Sequence, residues 1–154
     1  PALAARLEPG APSPERRFAA MEQLAKAGVF TGLLLMPVLP GLTDNRENLS
    51  RLLRQTAEAG GRFCYCWPGL TMREGQREYF YQALDREFPG LREKYEKRYG
   101  VRYRCTVPGA AKLYAWVREE CSRLGLLSEM EAIIAVSRRG YDFGGLPGQA
   151  SLFS

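Results

Sequence analysis

The spacing of apolar and polar positions changes period several times along the chain, and each change marks an element. Phe18, Met21, Leu24 and Ala25 recur at helical spacing. The predicted helix has Ser13 as its N-cap, Pro14 in the first turn and Glu15 facing the dipole, and it stops at Gly28 after about Ala27. Val29–Val38 then runs apolar without a break, which predicts a strand covered on both faces. Leu49, Leu52, Leu53 and Thr56 restore the helical period between a capping box of Asp44 and Glu47 and a stop at Gly60-Gly61. Arg62–Trp67 reads as a second, shorter strand. Helix, strand, helix, strand is a parallel α/β repeat.

After Pro68 the pattern turns helical. Thr71 with Glu74 predicts a helix start, and the helix continues to about Phe88 with Tyr79, Phe80, Ala83 and Leu84 for burial. Pro89-Gly90 breaks it, and Leu91–Tyr99 is a short charged helix ended by Gly100. Val101–Val107 is a strand or an extended connection, and Ala110–Leu124 and Ser128–Val136 are helices. The expected division is an α/β part over residues 1–68, a helical extension over 69–136 and a flexible, Gly- and Arg-rich tail over 137–154.

Composition narrows the chemistry. There is no histidine among the 154 residues, which removes the commonest acid/base at neutral pH and the commonest metal ligand. No apolar run reaches transmembrane length, and a cytoplasmic protein with no membrane partner is expected. The chain starts at Pro1 rather than a methionine and is expected to be the carboxy-terminal part of something larger. Much of the net charge of +5 lies in Arg86–Arg104, where seven basic residues face three acidic ones.

Function in such sheets sits beyond the carboxyl ends of the strands, which points to Met36–Asp44. Pro37 and Pro40 stiffen the chain there, and Gly41 allows close approach, so the corner suits either a strand-to-helix turn or the floor for a flat ligand. Arg16 and Arg17 lie in the first turn and a half of their helix, where a guanidinium clamps a carboxylate, and Glu8 is placed to accept from an amine or a ribose hydroxyl.

The stretch LEPGAPSPERRFAAMEQLAKAGVFTGLLLMPVLPGLTD, Leu7–Asp44, resembles the fourth-helix-to-fifth-strand segment of radical S-adenosylmethionine enzymes. It is most similar to the spore photoproduct lyase-like, or DNA repair photolyase-like, branch, and the stretch from Gly69 to Gly100 resembles the helical extension of that branch. The family's G-x-I-x-G-x-x-E motif maps onto Pro37, Leu39, Gly41 and Asp44, with proline for the first glycine and aspartate for the glutamate. The resemblance implies the carboxy-terminal part of a partial parallel (β/α) TIM-like barrel with a helical C-terminal extension. It implies S-adenosylmethionine with Leu39 against its adenine and Gly41 shaping the turn beneath it, Arg16 or Arg17 on its carboxylate, and Glu8 and Pro37 beside them. It also implies a 4Fe-4S cluster that cleaves the cofactor to a deoxyadenosyl radical, with a damaged pyrimidine in DNA as substrate. The three-cysteine C-x-x-x-C-x-x-C loop for that cluster is absent, so its ligands are expected upstream of this chain.

Three further features remain. Cys64 and Cys66 share a strand face and are either small core residues or half of a metal site with Cys105 and Cys121, and Cys66, nearest the strand end, is a candidate hydrogen-atom donor. Phe88, Tyr95, Tyr99 and Tyr103 among arginines and lysines form either a packing stripe or a stacking platform for nucleic acid. Gln149, Leu152 and Phe153 in the tail resemble the peptide with which bacterial repair proteins dock on the sliding clamp. The alternative to the enzyme is therefore a non-catalytic, DNA-associated adaptor that uses the basic segment and the tail.

Overall fold

Ser13 and Asn45 open the two helices that frame the first half of the chain. The computed structural model describes residues 2–8 and 10–139. In chain order the elements are α1 (Ala2–Leu7), α2 (Pro14–Lys26), β1 (Gly32–Leu35), α3 (Arg46–Glu58), β2 (Phe63–Cys66), β3 (Gly69–Thr71), α4 (Gln76–Glu87), α5 (Leu91–Tyr99), β4 (Arg104–Thr106), α6 (Ala110–Arg123) and α7 (Met130–Ser137). The Ser13 hydroxyl accepts the Arg16 N–H at 3.4 Å, and Gly28 leaves α2 at φ 81°. Asn45, not Asp44, caps α3, its side chain accepting the Asn48 N–H at 2.8 Å. The Asp44 carboxylate is taken by the Gly41 N–H at 2.9 Å, so the expected capping box with Glu47 does not form.

β1 and β2 pair in parallel with α3 as their crossover; Leu33 stands opposite Cys64, Leu34 opposite Tyr65 and Leu35 opposite Cys66. Side chains alternate across the pair. Leu35, Cys64 and Cys66 bury against Leu49 and Leu53 of α3 and Val117 and Cys121 of α6, the first core of the protein. Leu34, on the other face, is 62% exposed. The strand expected over Val29–Val38 is thus shorter and covered on one face only. Gly32 sets how closely it approaches its partner, because a Cβ there would stand 2.4 Å from the Phe63 carbonyl oxygen.

Thr71 does not start a helix. It ends β3, which pairs antiparallel with β4, Leu70 opposite Cys105, while α4 begins only at Gln76 behind Gly75. Leu84 is buried and Phe80 packs beside it as expected, but Tyr79 is 72% exposed and Tyr81 takes its place in the interior. Tyr81 and Leu84, with Tyr95, Tyr99, Leu70, Met72 and Cys105, make a second core.

These pairings overturn the expected partial barrel. Among the described residues there are two separate two-stranded sheets, one parallel and one antiparallel. The α/β repeat produces one parallel pair and then stops, because the chain leaves β2 through Pro68 into an antiparallel pairing that builds a core of its own. The outer edge of β2 is closed by Leu127, whose carbonyl accepts the Cys64 N–H at 2.8 Å and whose N–H reaches the Arg62 carbonyl at 3.0 Å. The far edge of β1 carries no strand among the described residues. No described helix is long and apolar enough to cross a membrane.

Candidate functional site

The uncovered face of the β1–β2 pair is the floor of a cavity of about 1100 Å³. Leu34 and Tyr65, neighbours in register, lie on it with Met36 and Trp67. One wall comes from α1 and α2 through Leu7, Phe18 and Met21, another from α3, and a third from β3, α4 and β4 through Leu70, Phe80 and Arg104, with Tyr103 just before β4. Small-molecule pockets span roughly 300–1,000 Å³, so there is room for a cofactor-sized ligand with space left over.

At the carboxyl end of β1 the Pro37–Asp44 corner is fixed by its own polar groups. The Leu39 N–H donates to the Thr43 hydroxyl at 2.7 Å, and the Thr43 N–H donates back to the Leu39 carbonyl at 3.0 Å. Gly41 turns at φ 74°, a left-handed conformation that favours glycine. The corner is also held from outside. The Val38 N–H reaches the Gly69 carbonyl at 2.9 Å, and the buried Tyr95 hydroxyl donates to the Pro40 carbonyl at 2.8 Å. Burial raises the Tyr95 phenol well above its usual range, so it stays a donor. Pro37 and Leu39 line the cavity, and Leu39 also packs on the second core. Gly41 lies behind them, facing Leu91 rather than the cavity.

Glu8 and Arg17 both line the cavity, but they face each other. Arg17 Nη2 meets the Glu8 carboxylate at 2.6 Å and its Nε donates to the Pro12 carbonyl at 2.9 Å. Arg16 is not part of the lining. Sequence reasoning missed Asn48, Arg51 and Gln55, which line the cavity from one side of α3. Their spacing of three and four was a signal, and Leu49 and Leu52 of the neighbouring apolar stripe reach the same lining. Glu15, Gln76 and Arg104 add further polar groups to the lining.

The cysteines lie elsewhere. Cys64 and Cys66 face the first core, away from the cavity, and burial pushes the Cys66 thiol up to about 11. Cys64 is pushed up by the neighbouring Cys121 thiol and by burial, whereas Cys105 sits in the second core. The four therefore do not converge, and among the described residues no group of three or more His, Cys, Asp or Glu side chains is placed to hold a metal ion. In the basic segment, Tyr95 and Tyr99 are buried edge to face at 5.5 Å, which is packing. Arg92 is engaged by Asp85 at 2.9 Å and Glu96 at 2.8 Å, and these two carboxylates raise its pKa. Tyr103 alone of that aromatic set reaches the cavity, beside Arg104. Gln149, Leu152 and Phe153 lie outside the described residues.

Over 99 residues the chain is 36% identical to the uncharacterized protein Rv2578c of Mycobacterium tuberculosis and to the uncharacterized protein Mb2609c of Mycobacterium bovis. The match takes in 64% of this chain and 29% of each relative, so the chain spans less than a third of the length of these curated relatives. No family model matches the chain, and no solved structure matches it.

Proposed function

We propose that this chain contributes the S-adenosylmethionine site of a radical S-adenosylmethionine enzyme of the spore photoproduct lyase-like branch, working in the reducing cytoplasm on a damaged pyrimidine in DNA. The observation that carries the reading is that Pro37 and Leu39, picked out by the motif, line a cavity at the carboxyl end of a parallel strand together with Glu8 and Arg17. The residues fit the cofactor. Leu34, Leu39 and Tyr65 offer an apolar surface for an adenine, and the rigid corner costs little entropy on binding. Glu8 is an acceptor for an amine or a ribose hydroxyl, and its pairing with Arg17 fixes its position.

The described cysteines do not fit a 4Fe-4S cluster, since they lie in two separate cores. In this reading the cluster ligands belong to a part of the full-length protein outside this chain, and the cofactor, once cleaved, supplies hydrogen-atom abstraction from the substrate. The test is calorimetric titration of S-adenosylmethionine into the full-length protein and its Leu39→Asp variant, with circular dichroism as a check on folding. A carboxylate placed against the adenine loses its hydration, at a cost of several kcal/mol, so binding is expected to vanish while the far-UV signal persists. Unchanged affinity would remove Leu39 from the site.

A further inference from the structure

The basic, aromatic segment of the sequence divides in the fold. Its α5 part is taken up by packing and by the carboxylates around Arg92, whereas its last residues stand open at the end of the β3–β4 pair. Thr71 faces Arg104 in register, and the Met72 N–H donates to the Tyr103 carbonyl at 2.8 Å as one further rung. Arg73 and Arg102 are the next residues beyond that rung. Arg73, Arg102 and Arg104 are exposed, and none of them meets a carboxylate among the described residues. Glu74 is the one acidic residue within Gly69–Gly75 and Gly100–Thr106, and it too forms no ion pair among the described residues. Arg77 adds a fourth guanidinium, held by the carbonyls of Gly100 at 2.7 Å, Arg102 at 2.8 Å, Val101 at 3.0 Å and Met72 at 3.1 Å. It fixes the turn into β4 without neutralising it. Two exposed rings, Tyr79 and Tyr103, share the cavity lining with Arg104, and the Arg73 guanidinium lowers the Tyr103 phenol.

Like charges at neighbouring positions of a strand pair repel one another. A polyanion with regularly spaced charges relieves that repulsion at several arginines at once, which a small ion does not. Exposed rings beside cations take single-stranded nucleic acid, with bases on the rings and phosphates on the guanidinium groups. An acidic polypeptide would use the cations and leave the rings without a role. We propose that Arg73, Arg102 and Arg104 carry the backbone of single-stranded DNA across the end of the β3–β4 pair, with a base on Tyr103 and the strand led into the cavity past Arg104 and Tyr79. The inference rests on the DNA reading above and names the surface that holds the strand. It does not depend on where in the cavity the cofactor lies.

The experiment titrates the full-length protein into a fluorescein-labelled oligothymidine, read by anisotropy at several salt concentrations, with far-UV circular dichroism checking the fold of each variant. Each phosphate neutralised on a single strand adds roughly 0.7 to the slope of log affinity against log salt. Arg73→Gln, Arg102→Gln and Arg104→Gln together are expected to weaken binding and to flatten that slope by roughly 2. Tyr103→Ala is expected to weaken the strand about fivefold or more at unchanged slope, and to spare an abasic strand. Arg54→Gln, at an exposed arginine of α3 outside the cavity lining, is the control and should change neither affinity nor slope. A triple variant that keeps the wild-type affinity and slope overturns this inference alone. So does polyglutamate that competes as well as unlabelled oligothymidine, which would make the patch a docking face for an acidic protein. Wild-type protein that binds S-adenosylmethionine but no oligonucleotide overturns this inference and DNA as the substrate, and leaves the cofactor site standing.

Discussion

Tyr95→Phe removes one atom from the link between the corner and the second core. Tyr95 is 2% exposed, its ring meets Phe80 and Tyr99 edge-on at 5.5 Å, and its hydroxyl donates to the Pro40 carbonyl at 2.8 Å. Phenylalanine keeps the ring contacts. What is lost is one buried hydrogen bond, about 1 kcal/mol net, and the Pro40 carbonyl is left dry and unpaired, which brings the cost to about 2 kcal/mol. The assay is urea unfolding followed by the fluorescence of Trp67 and Trp116. Amide exchange at Leu42 and Thr43, whose N–H groups close on the Leu39 carbonyl, is a local readout and should quicken. Tyr99→Phe is the control, since its hydroxyl serves the Thr106 carbonyl of β4 at 2.7 Å and its loss should spare the corner. A stability change below about 0.5 kcal/mol, with unchanged exchange, would mean that water satisfies Pro40 and that the corner is not held from the second core. The pH dependence follows from the same burial. Because the folded-state pKa of Tyr95 is raised, its contribution is fully present below the unfolded value of about 10 and is lost as pH rises above it. Tyr95→Phe should therefore flatten the alkaline fall in stability.

Leu34→Asp, at a site 62% exposed and outside both cores, should change stability by less than about 0.5 kcal/mol while weakening S-adenosylmethionine at least about tenfold; a variant that binds like wild type in calorimetry would clear the floor of a role. All four cysteines are buried, and Cys66 is pushed up to about 11, so a disulfide-exchange reagent at pH 8 should label none of them within minutes and all of them in denaturant. One thiol reacting at once in the native protein would contradict this packing.

Local signals carried far along this chain, and non-local ones did not. Ser13, Pro14 and Gly28 marked α2, and the Leu49, Leu53 and Thr56 spacing marked the buried side of α3, because caps and helical faces are written within a few residues. The β1 run was recognisable as a strand, but three consecutive leucines conceal the alternation that would have shown Leu34 to be open. The β3–β4 pairing joins Leu70 to Cys105 across an intervening pair of helices, and nothing next to Thr71 announces it. That pairing is also why the barrel expectation failed. At the site, Glu8, Arg17, Pro37 and Leu39 were named from motif and strand-end position, whereas Arg51, Asn48 and Tyr65 became visible only once α3 and β2 stood beside the corner.

Hydrogen–deuterium exchange of the full-length protein with and without saturating S-adenosylmethionine locates the ligand directly. If the cavity over Leu34 and Tyr65 is the cofactor site, protection should appear in the peptides covering the Met36–Asp44 corner, the first turns of α3 around Arg51 and the start of α2 at Glu15. Saturating cofactor that leaves these three segments unchanged, or protects only segments away from the cavity, would contradict the assignment.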